Sequence, residues 1–194
     1  MLKTLDKFFF TLYNVYVKNK RATNKQTPLS PNNETNKPTV GGYSDGKEYK
    51  MGNRAVITAS KEIDIQESKN IGIYLHWNGG RDSVEAFLKY CELKGYRPPD
   101  KDDYGWARLC QVIGNFFGGT TSIGIDNCCN LDCDNYDNGV YIIEDWKIVG
   151  RKYHSGAEQN NYDLAEMLIG IDESQPLKEQ LGEEKIRTML QNEQ

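Results

Sequence analysis

Two stretches of this 194-residue chain carry residue types suited to chemistry. The first is His76-Trp77-Asn78-Gly79-Gly80-Arg81. An imidazole moves protons near neutral pH, and an indole gives a large recognition surface. Arg81, beside the first amides of a helix, would favour a phosphate or a carboxylate. His76, Trp77, Asn78 and Arg81 are therefore the candidate ligand-binding residues. A working imidazole needs a partner, and Asp82, Glu85, Arg81 or Asp126 would have to be brought to it by the fold. The competing reading is a hydrogen-bonded structural corner at His76 and Trp77, with Asp82 capping the helix and opposing an anion.

The second stretch runs Asp126-Asn127-Cys128-Cys129-Asn130-Leu131-Asp132-Cys133-Asp134-Asn135-Tyr136-Asp137-Asn138-Gly139. Cys128, Cys129 and Cys133 are thiols that can converge on zinc, with His154, His76 or an aspartate as the fourth ligand. Adjacent cysteines point in different directions, and the spacing departs from that of a standard zinc knuckle. Asp132, Asp134 and Asp137 offer the oxygen ligands that calcium or magnesium prefers, without the glycine and distal glutamate of an EF-hand loop. The candidate metal ligands are thus Cys128, Cys129, Cys133, Asp132, Asp134 and His154, set against a plain connecting loop with incidental thiols. No cofactor is required by this reading; zinc is the metal to consider first, calcium or magnesium after it. Asn138-Gly139 is accounted for as hairpin-turn chemistry.

Other catalytic patterns are missing. There is no Gly-x-Ser-x-Gly elbow and no Cys–His pair with an orienting acid, and the glycines before Arg81 lack the Walker lysine.

The elements that position these stretches follow from periodicity. A β-branched run predicts a strand over 51–58 and a second over 71–77, ended by the Asn78-Gly79-Gly80 turn. Asp82 with Glu85 resembles a capping box, and Val84, Phe87, Leu88 and Cys91 continue a helix to Lys94, stopped by Gly95. After Pro98-Pro99, Trp106, Leu109, Cys110, Val112, Ile113, Phe116 and Phe117 mark a second helix ending at Gly118-Gly119. Strands are expected over 122–125, 140–143 and 146–153, the last two joined by a turn at Glu144-Asp145. An amphipathic helix over 162–171 and a polar one over 177–190 follow. The fold class is α+β, a small mostly antiparallel sheet packed with helices.

Ahead of this, Leu5, Phe8, Phe9, Leu12, Val15 and Tyr16 have helical spacing, but residues 20–50 are nearly devoid of aliphatic side chains and read as disordered. The division is a basic extension over 1–50, an α+β domain over 51–172 and a polar C-terminal helix or tail over 173–194. Residues 1–50 hold nine basic and four acidic side chains, residues 51–194 fifteen and twenty-four, so the segments carry +5 and −9. The acidic part disfavours nucleic acid as a partner, although the basic extension would contact it weakly. No run approaches the ~20 apolar residues of a membrane span, and no cleavage site follows the N-terminal apolar cluster. The reading is a cytoplasmic protein with reduced thiols. Its five cysteines, an odd number, cannot all pair within one chain.

Met51-Gly52-Asn53-Arg54 opening a strand, followed by His76-Trp77-Asn78-Gly79 ending the next, resembles a family of small uncharacterised phage and mobile-element proteins. Its members tend to begin Met-Gly-Thr/Asn-Arg and to carry His-Trp-Asp/Asn-Gly. The resemblance spans 51–151 and implies no known activity; Asn78 stands where Asp is commoner, against an acid or base role. It implies a bacterial host cell as the location and a translation start at Met51, with Gly52 as the mature N-terminus. Lys47-Glu48, encodable as AAG-GAG, would then supply the ribosome-binding sequence. The resemblance and the acidic domain together give an accessory protein that binds a host macromolecule, a protein before a nucleic acid, modulating host defence or nucleic-acid processing. The alternative is a small enzyme or ligand-binding domain with its pocket at His76-Trp77-Asn78 and Arg81, with or without a metal at 126–137.

Overall fold

The computed structural model describes residues 53–59, 64–118, 122–154, 158 and 162–193. The helix expected over 3–19, the linker over 20–50 and the first residues of the expected 51–58 strand lie outside them. The elements are β1 (Ala55–Thr58), β2 (Ile71–Leu75), α1 (Arg81–Leu93), α2 (Asp103–Phe116), β3 (Ile123–Asn127), β4 (Val140–Glu144), β5 (Lys147–Lys152), α3 (Leu164–Ser174) and α4 (Glu183–Gln191). Short 3-10 turns stand at Ile65–Glu67, Cys128–Asn130 and Leu177–Glu179. No described helix is long and apolar enough to cross a membrane.

The sheet has five strands in the order β3-β2-β1-β4-β5. All neighbours are antiparallel except β1 and β4, which run parallel with Ile57 opposite Tyr141. The protein is α+β, as the periodicity predicts. The central strand β1 is buried along its whole length. Its sequence Ala-Val-Ile is accordingly an unbroken apolar run rather than an alternation, because both faces of the sheet are covered there.

Side chains alternate across a strand. On one face Ala55, Ile57, Ile73, Leu75, Tyr141 and Ile143 meet Val84, Phe87, Leu88, Leu109, Ile113, Leu168, Ile171 and Ile186 of the helices. On the other face Val56 and Val140 pack with Ile65, Cys128 and Cys133. The polar C-terminal segment belongs to the larger core, since Ile186 is fully buried. It is tied there by Asp172 of α3, whose carboxylate accepts from the Tyr90 hydroxyl at 2.7 Å and from the amides of Leu181 and Gly182 at 2.7 and 2.9 Å. Three donors compensate for the burial of that carboxylate.

Local signals account for most boundaries. Gly95 ends α1: its amide donates to Glu92 and that of Tyr96 to Cys91, the paired bonds of a Schellman stop. At the other end, the expected capping box is not formed. The N-cap is Gly80, which has no side-chain cap, while Asp82 accepts from the Ser83 amide and Glu85 from Arg81. Helix α2 is capped by Asp102, which accepts from the Tyr104 amide at 2.8 Å. The β4–β5 turn sits one residue later than expected, at Asp145-Trp146, both at positive φ (46° and 62°), the twist that two-residue hairpins favour. Trp146 holds that conformation by burial and by donating its indole N–H to the Tyr96 carbonyl at 2.8 Å.

Candidate functional site

The two sequence motifs meet at one corner of the sheet. Gly79 donates its amide to the Asn53 carbonyl at 2.7 Å, and the Asn53 amide donates to the His76 carbonyl at 3.4 Å. The turn after β2 thus lies against the chain entering β1. Next to Asn53, Arg54 donates through Nε to the buried Asp137 carboxylate at 2.8 Å. Asp137 in turn holds the Arg54 guanidinium in its charged form, with the Asp132 carboxylate adding to the effect. Asn138 completes the corner, donating to Asn53 Oδ1 at 2.6 Å and to the Arg54 carbonyl at 3.1 Å.

The four candidate ligand-binding residues separate into two groups here. His76 and Trp77 are exposed, their rings edge-on at 4.9 Å. His76 Nδ1 lies 3.2 Å from the Tyr74 hydroxyl. None of the proposed partners makes a described contact with this imidazole. Asp82 accepts from the amides of Ser83 and Tyr162. Asp126, whose strand position faces Gly72, accepts from the Asn127 amide and Asn130. Asn78 adopts φ 54°, and its amide reaches Ser83 Oγ at 3.4 Å. Arg81 turns away to Glu85 at 2.6 Å and Glu158 at 2.9 Å. His76 and Arg81 thus have separate partners.

The cysteine and aspartate loop is a cover for the sheet. It carries the chain from β3 at one edge, across β2 and β1, to β4. Cys128 and Cys133 turn inward as small apolar side chains, the Cys133 thiol lying 3.4 Å from the Cys128 carbonyl. Burial pushes the Cys133 thiol up to about 12, unlike the thiolate a metal would need. Cys129, Asp132, Asp134 and His154 are exposed. Among the described residues no group of three His, Cys, Asp or Glu side chains is placed to hold a metal ion. The six proposed ligands do not assemble, because two of the three thiols are used in packing.

Asn138-Gly139 does not form a hairpin turn either; it leads into β4. Gly139 has φ 64°, and a Cβ there would run into the Lys152 carbonyl oxygen. The buried Asn135 side chain shapes this entry, accepting from the amides of Asp137 and Gly139 at 3.1 and 3.0 Å.

Sequence reasoning missed Tyr141, Arg151 and Glu158. Arg151 on β5 faces Tyr141 on β4, its guanidinium 4.9 Å from the ring centroid. It donates to the Asn138 carbonyl and Oδ1 at 3.0 and 3.1 Å, and to Glu158 at 3.1 Å. The Arg151 side chain is 7% exposed. Tyr141 is fully buried, and among the described residues its hydroxyl has no hydrogen-bond partner. No local signal marked Arg151, because β5 also carries Lys147 and Lys152 and a third basic residue there does not stand out.

Comparison with protein-family models, curated proteins and solved structures returns no match to this chain.

Proposed function

We propose that this chain is a non-enzymatic accessory protein of a phage or other mobile element, which binds a host protein through the His76–Trp77 corner and modulates host defence or nucleic-acid processing. The observation that supports this reading is Trp77, 48% exposed on a turn anchored by backbone bonds to Asn53. Exposing an indole is unfavourable in isolation, and a tryptophan held rigidly at the surface loses little entropy on binding. Aromatic residues of this kind dominate protein interfaces. The −9 charge over residues 51–194 repels phosphate chains, which favours a protein as the partner.

The test compares the full chain with Trp77→Ala and, as a control, Leu177→Ala, whose side chain is 85% exposed in the 3-10 turn before α4. A stoichiometric host partner retained by the parent and the control and lost by Trp77→Ala, at unchanged melting temperature, supports the reading. Equal retention by all three overturns it. A ligand-binding reading keeps one observation in its favour, the buried Tyr141 hydroxyl beside Arg151, and that site does not include His76 or Trp77.

A further inference from the structure

The charge on Arg151 is costly where it stands. Its side chain is 7% exposed, and its only described carboxylate partner is Glu158, itself 37% exposed. A buried guanidinium is tolerated when it is held and paired. Arg151 is held by the two bonds it donates to Asn138 and by the face of Tyr141, which leave Nη1 directed at Glu158. Arg81, in the first turn of α1, meets the same carboxylate, its Nη1 lying 2.9 Å from Oε1 and 3.1 Å from Oε2. The Tyr141 ring lies against the Arg151 guanidinium, 4.9 Å from its centroid, and the charges of Arg151, Glu158, Arg81 and Asp82 all act on its hydroxyl. Among the described residues this buried donor has no acceptor. Leaving such a group unmade costs more than a bond usually gains.

We propose that Arg81, Arg151 and the Tyr141 hydroxyl form a carboxylate-binding site, in which Glu158 is a tethered occupant that an external carboxylate displaces. The charge balance selects the ligand class. Arg81 and Arg151 already stand against the carboxylates of Glu85 and Glu158, with Asp82, which also accepts from the amides of Ser83 and Tyr162, close by, so an incoming anion can only replace the charge of Glu158. Release of Glu158 therefore leaves room for one negative charge. A single carboxylate fits that vacancy, whereas a doubly charged phosphate would be opposed by Asp82 and Glu85. The planar group also suits the guanidinium fork. The Tyr141 hydroxyl would supply the bond that Glu158 leaves unmade.

Glu158 competes as part of the same chain, at the high effective concentration of an intramolecular group. Its removal should therefore tighten external binding. The probes are propionate, a blocked Gly-Glu-Gly peptide and inorganic phosphate, titrated into the full chain while the arginine Nε–H resonances are followed by NMR. Glu158→Gln is expected to bind propionate about tenfold more tightly than the parent. Adding Tyr141→Phe, which removes only the hydroxyl, is expected to weaken that binding about threefold or more. Adding Arg81→Gln is expected to weaken it about tenfold. Tighter binding of the peptide than of propionate assigns the site to acidic side chains of a partner, and the reverse to small carboxylates. The proposal is overturned if Glu158→Gln binds no better than the parent, if Tyr141→Phe leaves binding unchanged, or if phosphate binds as well as the carboxylates. None of these outcomes depends on the His76–Trp77 corner.

Discussion

The amide of Gly79 donates to the carbonyl of Asn53 at 2.7 Å, and a Cβ on Gly79 would stand 2.5 Å from that same oxygen. The two short motifs that stand out in the sequence are therefore a single packed unit. Backbone lies where a side chain would go, so the close approach itself requires glycine.

Gly79→Ala is expected to lower unfolding stability by about 2–4 kcal/mol, because backbone rather than a flexible side chain must shift. Urea denaturation of the full chain checks this. A loss within ~0.5 kcal/mol, the range of ordinary surface substitutions, would show that the corner yields easily.

Arg54 and Asp137 form a pair in which only the arginine is partly exposed, its side chain 28% against 4%. Arg54→Ala leaves the carboxylate buried without its cation and is expected to cost about 2–4 kcal/mol. Asp137→Asn combined with Arg54→Met removes both charges and should cost less than Arg54→Ala alone. A double-mutant cycle measured by chemical denaturation gives the coupling, and a value near zero would contradict the pairing.

The thiols differ in access. Cys129 is exposed, Cys110 half-buried, and Cys91, Cys128 and Cys133 are buried. Burial also pushes Cys110 up to about 11 and Cys133 up to about 12, and raises Cys91 further. A thiol reagent at neutral pH is expected to modify one cysteine rapidly, Cys129, and the buried three only on unfolding. Peptide mapping after brief labelling decides it; prompt modification of Cys128 or Cys133 would mean that the loop does not cover the sheet as described.

Glu158 is held below the usual carboxylate range by the bond from Arg81, with Arg151 adding to it. A depressed pKa contributes stability above the unfolded value of about 4.3, and that contribution is lost as pH falls through the folded value. The acid-side slope of melting temperature below about pH 4.3 should therefore be shallower in Glu158→Gln than in the parent. The difference is small, since the carboxylate is partly exposed and screened by solvent. Superimposable profiles would argue against the bridge.

Features set by a few neighbouring residues were legible in the chain. The apolar run of β1, the stop of α1 at Gly95, the span of α2 and the α+β class all depend on bonds or periodicities within a turn or two. The capping box failed because Gly80 took the N-cap and Arg81 claimed Glu85. The β4–β5 turn shifted because Trp146 could be buried against Tyr96. In both cases a packing partner outweighed a local preference.

The sequence by itself determined the order of strands and helices, although the helix expected over 177–190 breaks into a 3-10 turn at Leu177–Glu179 and α4, and the strand expected over 71–77 ends at Leu75, just before His76. Only the tertiary structure decided what those segments are next to. It placed Asn53 against Asn138, 85 positions away, and Arg81 against Glu158, 77 positions away. It also turned Cys128 and Cys133 into core side chains and buried Tyr141 with its ring against the Arg151 guanidinium. The physical reason is range. Hydrogen bonds within a helical turn or a tight loop are written in adjacent residues, whereas the pairing of buried charges depends on which distant strands the hydrophobic core brings together.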